Sequence, residues 1–563
     1  MSSSSWRLRF RYVEYQFEAL RRCPRTEYYL DKYLQSLPRD LDETYERMLG
    51  WADEDYTYGA RRILALLCYS YRPLSIAELA DAYAVNIEKL QLNPGNRLLD
   101  FDGIKIMCKG FVEFSVSSTP INEERASMNA WLSHPSVQEY LMSDYIWPQN
   151  GRTDPLRVEN GHTLLSKVCL TYLLKMSPEE VNQNESTTDW PLARYAAQYW
   201  YHHYERAGDM RSHVDPLILK LFKDTRGSFI NWIKFWDADE KAGGTGETLA
   251  TPARAATPVY VASFLGLHWL LEYLLAGEKG ENCGTATLVN EESGCLGNAL
   301  QAASFNGHEA VVHTLLQKGA HVDQQGGRFG NALQAASGEY VNSLLAASYN
   351  GHLEVFRMLL NSGADTSAQL SGIGNALQVA SWRGHTELVK IMLEKGADIN
   401  AIGGRFGNAL QAASLKGHER TVRLLLEKGA DTNIQYGKLG NALQAASWRG
   451  HQNVVQMLLD SGARVNTLHG QYGSALQAAS LKGHGDVVRL LLGKGADPNL
   501  CGGEHGSALI AASHNGHEKI VQMLINRGAD VNSQADSSNA FAAALSRGHQ
   551  VVMQLLIAAG AME

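Results

Sequence analysis

The sequence predicts a mainly α-helical protein in which a winged-helix and helical region precedes a solenoid of stacked helical pairs. A twelve-residue phrase that opens with Gly-Asn-Ala-Leu and closes with Gly-His recurs in the C-terminal half, as at residues 374–385 and 407–418. Its closing histidines are 33 residues apart each time from His352 to His517. A fixed period of this length is typical of arrays in which each unit buries its apolar face against its neighbours.

Residues 407–433 show how one unit is expected to fold. Asn408 is a favoured N-cap for a first helix of small residues, which ends at Gly417. A second helix over residues 419–428 carries apolar residues on one face at helical spacing. The loop over residues 434–439 is expected to form a β-hairpin finger.

This unit resembles the ankyrin repeat. The family pattern Thr-Pro-Leu-His-x-Ala-Ala-x-x-Gly-His maps onto it without gaps, with Asn in place of Thr, Ala in place of Pro and Gln in place of His. Glutamine has both a donor and an acceptor, so it can replace the imidazole. The original Thr-Pro survives once, at Thr257-Pro258. We expect about nine units, starting near residues 257, 298, 342, 375, 408, 441, 474, 507 and 540. The last, residues 541–561, ends in a polar stub and is expected to be a C-terminal cap.

Two features interrupt the regular period. The first loop is long, over residues 276–296, and the interval from His308 to His352 is 44 residues. Residues 331–337 (NALQAAS) recur in weaker form as residues 342–348 (NSLLAAS). Residues 338–348 are therefore either a tandem insertion or the product of a retained intron, and the sequence leaves both open.

The resemblance implies a binding surface. In ankyrin proteins the two residues before Gly-His and the finger tips line the concave face, and here they alternate large apolar groups with cations. Trp, Tyr and Arg are the residues that most often anchor protein interfaces, and gathered cations favour an acidic, partly apolar protein partner. The candidate protein-binding residues are Trp382, Arg383, Arg405, Phe406, Leu415, Lys416, Lys438, Trp448, Arg449, Tyr472, Leu481 and Lys482.

Other interpretations of these residues remain open. Duplication of one unit would repeat Trp and Arg without giving them a role. Aromatic platforms beside cations also suit single-stranded nucleic acid, although we do not expect that ligand. The repeated histidines resemble a metal array, but one per unit is too far apart to share an ion, which favours a structural role. Their protonation below about pH 6 is expected to loosen the stack.

The N-terminal half is expected to be helical with one short β region. Ser75 and Glu78 form a capping box that opens a helix over residues 76–84. Residues 111–116 and 128–133 are expected to pair as strands. Helix, helix and hairpin make a winged-helix plan, which serves either domain packing or DNA binding. The helix at residues 76–84 has no basic residue, which favours packing.

Motifs in this half resemble the fungal NACHT–ankyrin proteins, which are NLR-like STAND ATPases. The matching segments are residues 10–23, 36–45, 72–75, 134–141 and 192–200. The resemblance implies five parts: the end of a NACHT module (1–50), a winged-helix-like domain (51–148), a helical connector (149–240), a linker (241–256) and the ankyrin repeats (257–563). The chain lacks the Gly-x-x-x-x-Gly-Lys-Ser/Thr phosphate loop, so we do not extend the family's nucleotide switch to it.

Composition restricts the class of protein further. The net charge is -8, which gives no basic surplus for neutralising nucleic-acid phosphates. The seven cysteines are scattered without a Cys-x-x-Cys pair, as expected for free thiols in a reducing compartment. No apolar run reaches membrane-spanning length, and the first residues lack a secretion signal. We therefore expect a cytoplasmic or nuclear protein without membrane contact.

The sequence thus predicts a non-enzymatic scaffold or adaptor that needs no cofactor or metal. It binds a protein partner and acts as a signalling component or transcription coregulator. The alternative is the regulatory half of a split or truncated STAND ATPase receptor. The identity of the partner and the oligomeric state are not encoded in any pattern that we recognise.

Overall fold

The computed structural model describes residues 43, 45–46, 54–97, 101–108, 110–116, 128–143, 158–176, 190–236, 256–277, 285–294, 296–326, 342–368, 374–535 and 538–562. The chain forms two compact units, Met1–Ala238 and Asp239–Glu563. Nearly all of the segment expected at residues 1–50, and the linker at 241–256 apart from its last residue, lie outside the described residues.

The N-terminal unit begins with helices around a small three-stranded antiparallel sheet. Its central strand, Met128–Leu132, pairs with Leu74–Ser75 on one side and with Val112–Val116 on the other, so that Leu74 lies opposite Ala130 and Val112 opposite Leu132. The predicted capping box at Ser75 and the predicted strand pair are confirmed. The winged-helix assignment stays a prediction. The elements are α1 (Glu54–Tyr69), β1 (Leu74–Ser75), α2 (Ile76–Ala84), β2 (Val85–Asn86), β3 (Gln91–Leu92), α3 (Phe101–Met107), β4 (Val112–Val116), β5 (Met128–Leu132) and α4 (Pro135–Leu141).

Four further helices complete this unit around an aromatic core. Trp200 and Trp232 meet edge to face at 5.4 Å and are fully buried. Beside them the Nδ1 atoms of His162 and His203 lie 2.9 Å apart, and burial lowers the pKa of His162 to about 4. This buried histidine pair is therefore uncharged at neutral pH. The helices are α5 (Val158–Leu173), α6 (Ala193–Arg206), α7 (Asp215–Lys223) and α8 (Ser228–Phe235).

In the described residues of the C-terminal unit, nine helical pairs follow one another, and we number them units 1 to 9. First helices of consecutive units pack against each other, as do the second helices. One further short helix, Thr285–Asn290, lies between units 1 and 2. The pairs are Pro258–Leu265 and His268–Ala276, Ala299–Asn306 and Glu309–Gln317, Ser343–Asn350 and Leu353–Asn361, Ala376–Arg383 and Thr386–Glu394, Ala409–Lys416 and Glu419–Glu427, Ala442–Arg449 and Gln452–Asp460, Ala475–Lys482 and Gly485–Gly493, Ala508–His514 and Glu518–Asn526, and Ala540–Arg547 and Gln550–Ala558.

The glutamine that replaces the family's histidine does bond as both acceptor and donor. In unit 6, Gln444 Oε1 accepts the backbone N–H of Asn441 at 2.7 Å, and the Asn441 side chain accepts the N–H of Gln444 in return. Gln444 Nε2 donates to the carbonyls of Thr467 and His469 at 3.2 and 3.1 Å. One side chain thus caps the first helix and fixes the loop that follows the unit.

The Gly-His histidines join neighbouring units. The Nε2 atom of each one donates to a carbonyl near the end of the preceding unit's first helix, at 2.9 to 3.3 Å. His418 thus reaches the carbonyl of Trp382, and His484 reaches that of Trp448. These bonds give the histidines a structural role between units, as the sequence indicated.

The array is expected to lose stability as the pH falls below about 6.5, the ordinary pKa of histidine. Burial lowers the pKa of His385 and of His451, and their hydrogen bonds to backbone carbonyls only partly oppose this. The unfolded chain then binds more protons than the folded chain, so stability rises with pH through this range. Urea unfolding followed by circular dichroism at pH 7.5 and 5.0 measures the effect.

A variant with His385→Gln and His451→Gln separates this contribution from that of His162 and His203. The double variant should show a smaller change in unfolding midpoint between the two pH values. An unchanged difference would mean that these two histidines do not carry the pH dependence.

The fingers differ from the expected β-hairpins. In the described loops after units 4 to 7, the closing contact is one backbone hydrogen bond that spans four residues, as from Tyr436 N–H to Gly440 O at 2.8 Å. The expected strand pairing is therefore absent at residues 434–439, whereas in the loop after unit 4 Gly403 and Gly407 form a single antiparallel bridge. A two-stranded hairpin does form after unit 8, between Gln534–Ala535 and Ser538–Asn539. We use the word finger for residues 401–407, 434–440, 467–473 and 500–506.

The first helix of unit 3 is built from residues 342–348, the weaker copy of the duplicated segment at residues 331–337. Leu344 and Leu345 of its first helix are buried in the core. Asn350 Nδ2 and His352 Nε2 both donate to Phe305 O of unit 2, at 2.6 and 2.9 Å. The stronger copy at residues 331–337 and the first part of the candidate insertion at 338–348 lie outside the described residues.

Unit 9 is the last described unit, and its expected role as a C-terminal cap stays a prediction. Leu545, Val551 and Ile557 are 58%, 46% and 51% exposed. Leu545 occupies the position at which the preceding unit has the fully buried Ser513. The outer side of unit 9 is therefore apolar.

Candidate protein-binding surface

The predicted binding residues lie at the ends of first helices and in fingers. Each first helix that carries them ends at a glycine with positive φ, such as Gly384 at 79° and Gly450 at 78°. The two residues before each glycine lie in the last helical turn and beside the fingers. We name this surface the ladder and define it as Phe305, Tyr349, Trp382, Arg383, Arg405, Phe406, Leu415, Lys416, Lys438, Trp448, Arg449, Tyr472, Leu481 and Lys482.

Aromatic rings stack along the ladder in two groups. In the first, Phe305, Tyr349 and Trp382 follow one another with centroids 6.4 and 6.1 Å apart, and Phe406 continues the stack at 5.0 Å from Trp382. In the second, Trp448 stacks on Tyr472 at 5.6 Å. In both groups a finger ring therefore packs on the tryptophan of its own unit.

The cations of the ladder lie over these rings. Arg383 lies 4.4 Å from the Tyr349 ring, and its Nε donates to Tyr349 O at 2.9 Å. Lys416 lies 4.6 Å from the Trp382 ring. Arg449 and Lys482 lie 4.4 and 5.0 Å from the Trp448 ring. All four side chains remain exposed, so each holds its charge at a fixed place in contact with water.

Exposure divides the twelve predicted residues into three groups. Arg383, Arg405, Lys416, Lys438, Arg449 and Lys482 are exposed, and Trp382, Leu415, Trp448 and Tyr472 are half-buried. Phe406 and Leu481 are only 8% and 7% exposed. Phe406 is covered by Trp382 and Arg405, and Leu481 is buried in the last turn of its helix, so these two side chains present little apolar surface.

Carboxylate side chains are unevenly distributed between the two helices of each described unit. The first helices in the described units contain no Asp or Glu, and neither do the fingers at 401–407, 434–440 and 467–473. Acidic residues lie on the second helices, as Glu387, Glu419 and Asp486 do, and in the loops after them, as Asp431 does; the second helices carry cations as well. In the finger at 500–506, Glu504 accepts hydrogen bonds from Gln471 at 2.8 Å. The ladder is therefore a cationic strip on a chain that is acidic as a whole.

Two further observations on the described residues concern metal ions and membrane spans. Among them there is no group of three or more His, Cys, Asp or Glu side chains that could hold a metal ion. No described helix is both long and apolar enough to span a membrane.

The helical pairs, their left-handed glycine ends and their connecting histidines define the C-terminal region as an ankyrin-repeat solenoid. Models of the ankyrin repeat match residues 298–327, 328–403, 402–469 and 475–562. Ankyrin repeats are protein–protein interaction modules, so the fold indicates a protein partner.

Two known proteins are similar to this chain. Azaphilone pigments biosynthesis cluster protein L of Monascus ruber is 38% identical over 304 residues, which cover 53% of this chain and 63% of that protein. The match therefore spans less than two thirds of this relative. The ankyrin repeat domain of human ASB11 is 24% identical, with a TM-score of 0.35, and the match covers 39% of this chain and 98% of that one.

Proposed function

We propose that this chain is a non-catalytic scaffold that binds an acidic, partly apolar segment of a protein partner on the ladder. The observation that carries the proposal is the charge segregation: cations held on aromatic rings lie on a strip of helices and fingers that is almost free of carboxylates. Complementary potential of this kind selects partners and speeds their association.

The finer assignment is a signalling component or a transcription coregulator in the cytosol or nucleus. The name of the Monascus relative places that protein in a pigment biosynthesis cluster, which supports a role in controlling or assembling a biosynthetic pathway. The segments similar to NACHT–ankyrin proteins favour descent from such a receptor. If the chain is instead the regulatory half of a split receptor, the protein it captures will be an ATPase with a phosphate loop.

Photocrosslinking from the ladder tests the proposal. A photoreactive p-benzoylphenylalanine replaces Lys438, which is exposed in the finger between units 5 and 6. We expect a discrete crosslinked protein from extract of the source cells, and we expect an excess of poly-glutamate to suppress it. The matched control places the same group at Lys390, an exposed residue of the second helix of unit 4. Identical products from both positions, or none from position 438, would contradict the proposal.

A further inference from the structure

We infer that the ladder contains two copies of a cationic clamp that binds acidic side chains. The copies lie two units apart and together bind an extended acidic segment of the partner. This inference rests on the proposed function and specifies its partner. It follows from the way in which the ring and cation contacts repeat along the array.

The first clamp is centred on Trp382. Phe406 of the following finger stacks on this ring at 5.0 Å. Arg383 of the same unit lies 5.8 Å from the ring, and Lys416 of the next unit lies 4.6 Å from it. Arg383 lies closer to the Tyr349 ring, at 4.4 Å, so Trp382 and Tyr349 together hold two cations from neighbouring units.

The second clamp is centred on Trp448 and has the same parts. Tyr472 of the following finger stacks on it at 5.6 Å. Arg449 of the same unit and Lys482 of the next lie 4.4 and 5.0 Å from the ring. Each residue lies two repeats after its counterpart in the first clamp, so the two clamps are built from equivalent positions of the repeat.

The cations of both clamps are free to bind an anion. Arg383, Lys416, Arg449 and Lys482 are exposed, and no ion pair joins any of them to a carboxylate of the described residues. Their contact with a ring fixes where the charge lies before a ligand arrives. A preorganised pair of charges binds a carboxylate with less loss of side-chain freedom than a mobile lysine does.

The distance between the clamps sets the spacing in the ligand. First helices of consecutive units pack directly against one another, and packed helices lie about 8–10 Å apart. Clamps two units apart are therefore separated by roughly 16–20 Å. An extended chain rises about 3.3 Å per residue, so acidic positions five or six residues apart reach both clamps.

An extended peptide fits this surface better than single-stranded nucleic acid does. Nucleic-acid platforms need open aromatic faces on which bases stack. The Trp382 ring is instead stacked with Phe406 and Tyr349 and overlaid by Lys416. The groups of the clamps that a ligand can contact are therefore the guanidinium and ammonium groups, and not the faces of the rings.

Binding of synthetic peptides to the full chain, measured by fluorescence anisotropy, tests the inference. Three labelled peptides of equal length and charge carry two Glu-Glu pairs whose centres are three, six or twelve residues apart. Proline-rich spacers keep them extended at about 3.1 Å per residue. The six-residue spacing should bind about tenfold tighter than the other two, since only this peptide engages both clamps at once.

Clamp variants supply the controls. Arg383→Glu with Lys416→Glu, or Arg449→Glu with Lys482→Glu, should each remove the spacing preference and weaken binding of the six-residue peptide by about tenfold. The matched variant, Lys390→Glu with Arg423→Glu, has the same charge change on exposed second-helix residues and should retain the preference. Unchanged circular dichroism and thermal midpoints show that the variants are folded, and glutamine in place of glutamate provides a milder second series.

Three results would overturn the inference. The first is equal affinity at all spacings, and the second is no binding of any peptide at about 1 mM. The third is oligothymidylate binding that both clamp variants weaken as much as they weaken peptide binding. If spacing has no effect but poly-glutamate still suppresses the crosslink from position 438, only the two-clamp inference fails. If that crosslink also fails, the proposed function fails with it.

Discussion

Valine in place of Gly417 is expected to weaken the junction between units 5 and 6 and to lower the free energy of unfolding by about 3 kcal/mol. Gly417 ends the first helix of unit 5 with a φ of 76°, a conformation that β-branched residues rarely adopt. A Cβ atom there would lie 2.6 Å from Nδ1 of His451, whose Nε2 donates to Leu415 O. The substitution therefore adds backbone strain and displaces the histidine that joins the two units.

A matched glycine separates these two effects. Gly429 has a φ of 86°, but nothing lies within 4 Å of a Cβ atom built there. Gly429→Val should therefore cost only the backbone strain, about 1–2 kcal/mol. Urea unfolding followed by circular dichroism compares the two variants with the parent chain. Equal shifts of the unfolding midpoint would show that the contact with His451 does not hold the units together.

The regular part of the fold could be predicted because its signals are local. Glycine at a left-handed helix end, asparagine or serine at the N-cap and a fixed period together place the helices of units 4 to 7. The same holds for Ser75 and Glu78, whose capping box lies within one helical turn. In these places the residues that determine the structure are close together in the sequence.

Burial on the ladder could not be predicted in the same way. The first helices of units 5 and 7 have the identical sequence ALQAASLK, yet Leu415 is half-buried and Leu481 is buried. Phe406 is likewise hidden by its contact with Trp382. Exposure at these positions depends on which side chains the neighbouring unit and finger supply, and a single repeat does not contain that information.

One set of structural residues was missed although the sequence carries its signal. Asn433 Oδ1 accepts the backbone N–H of Arg464 at 2.9 Å, and its Nδ2 donates to Gly462 O at 3.3 Å. Asn466 bonds in the same way to Asp497 and Gly495. These asparagines recur at the repeat period and link the loops of consecutive units, so the period alone would have found them.

Reversing the four clamp cations is expected to abolish partner binding. The variant carries Arg383→Glu, Lys416→Glu, Arg449→Glu and Lys482→Glu and leaves both tryptophans in place. Substituting the tryptophans would be less informative, because they are half-buried and stacked on neighbouring rings. Interface anchors contribute about 2 kcal/mol or more apiece when buried by a partner, so the loss of affinity should exceed about a hundredfold.

The matched control reverses four other exposed cations of the same array. It carries Lys390→Glu, Arg420→Glu, Arg423→Glu and Lys519→Glu, all on second helices. Its net charge equals that of the clamp variant, so general electrostatic repulsion affects both in the same way. Circular dichroism and the thermal midpoint should match the parent chain for both variants.

The most direct measurement uses the partner that crosslinks from position 438. The parent chain, the clamp variant and the second-helix control are each immobilised, and the amount of this partner that each one recovers is quantified. We expect the parent chain and the second-helix control to recover it equally, and the clamp variant to recover no more than empty resin. Equal recovery by a folded clamp variant would contradict the claim that this cationic strip binds the partner.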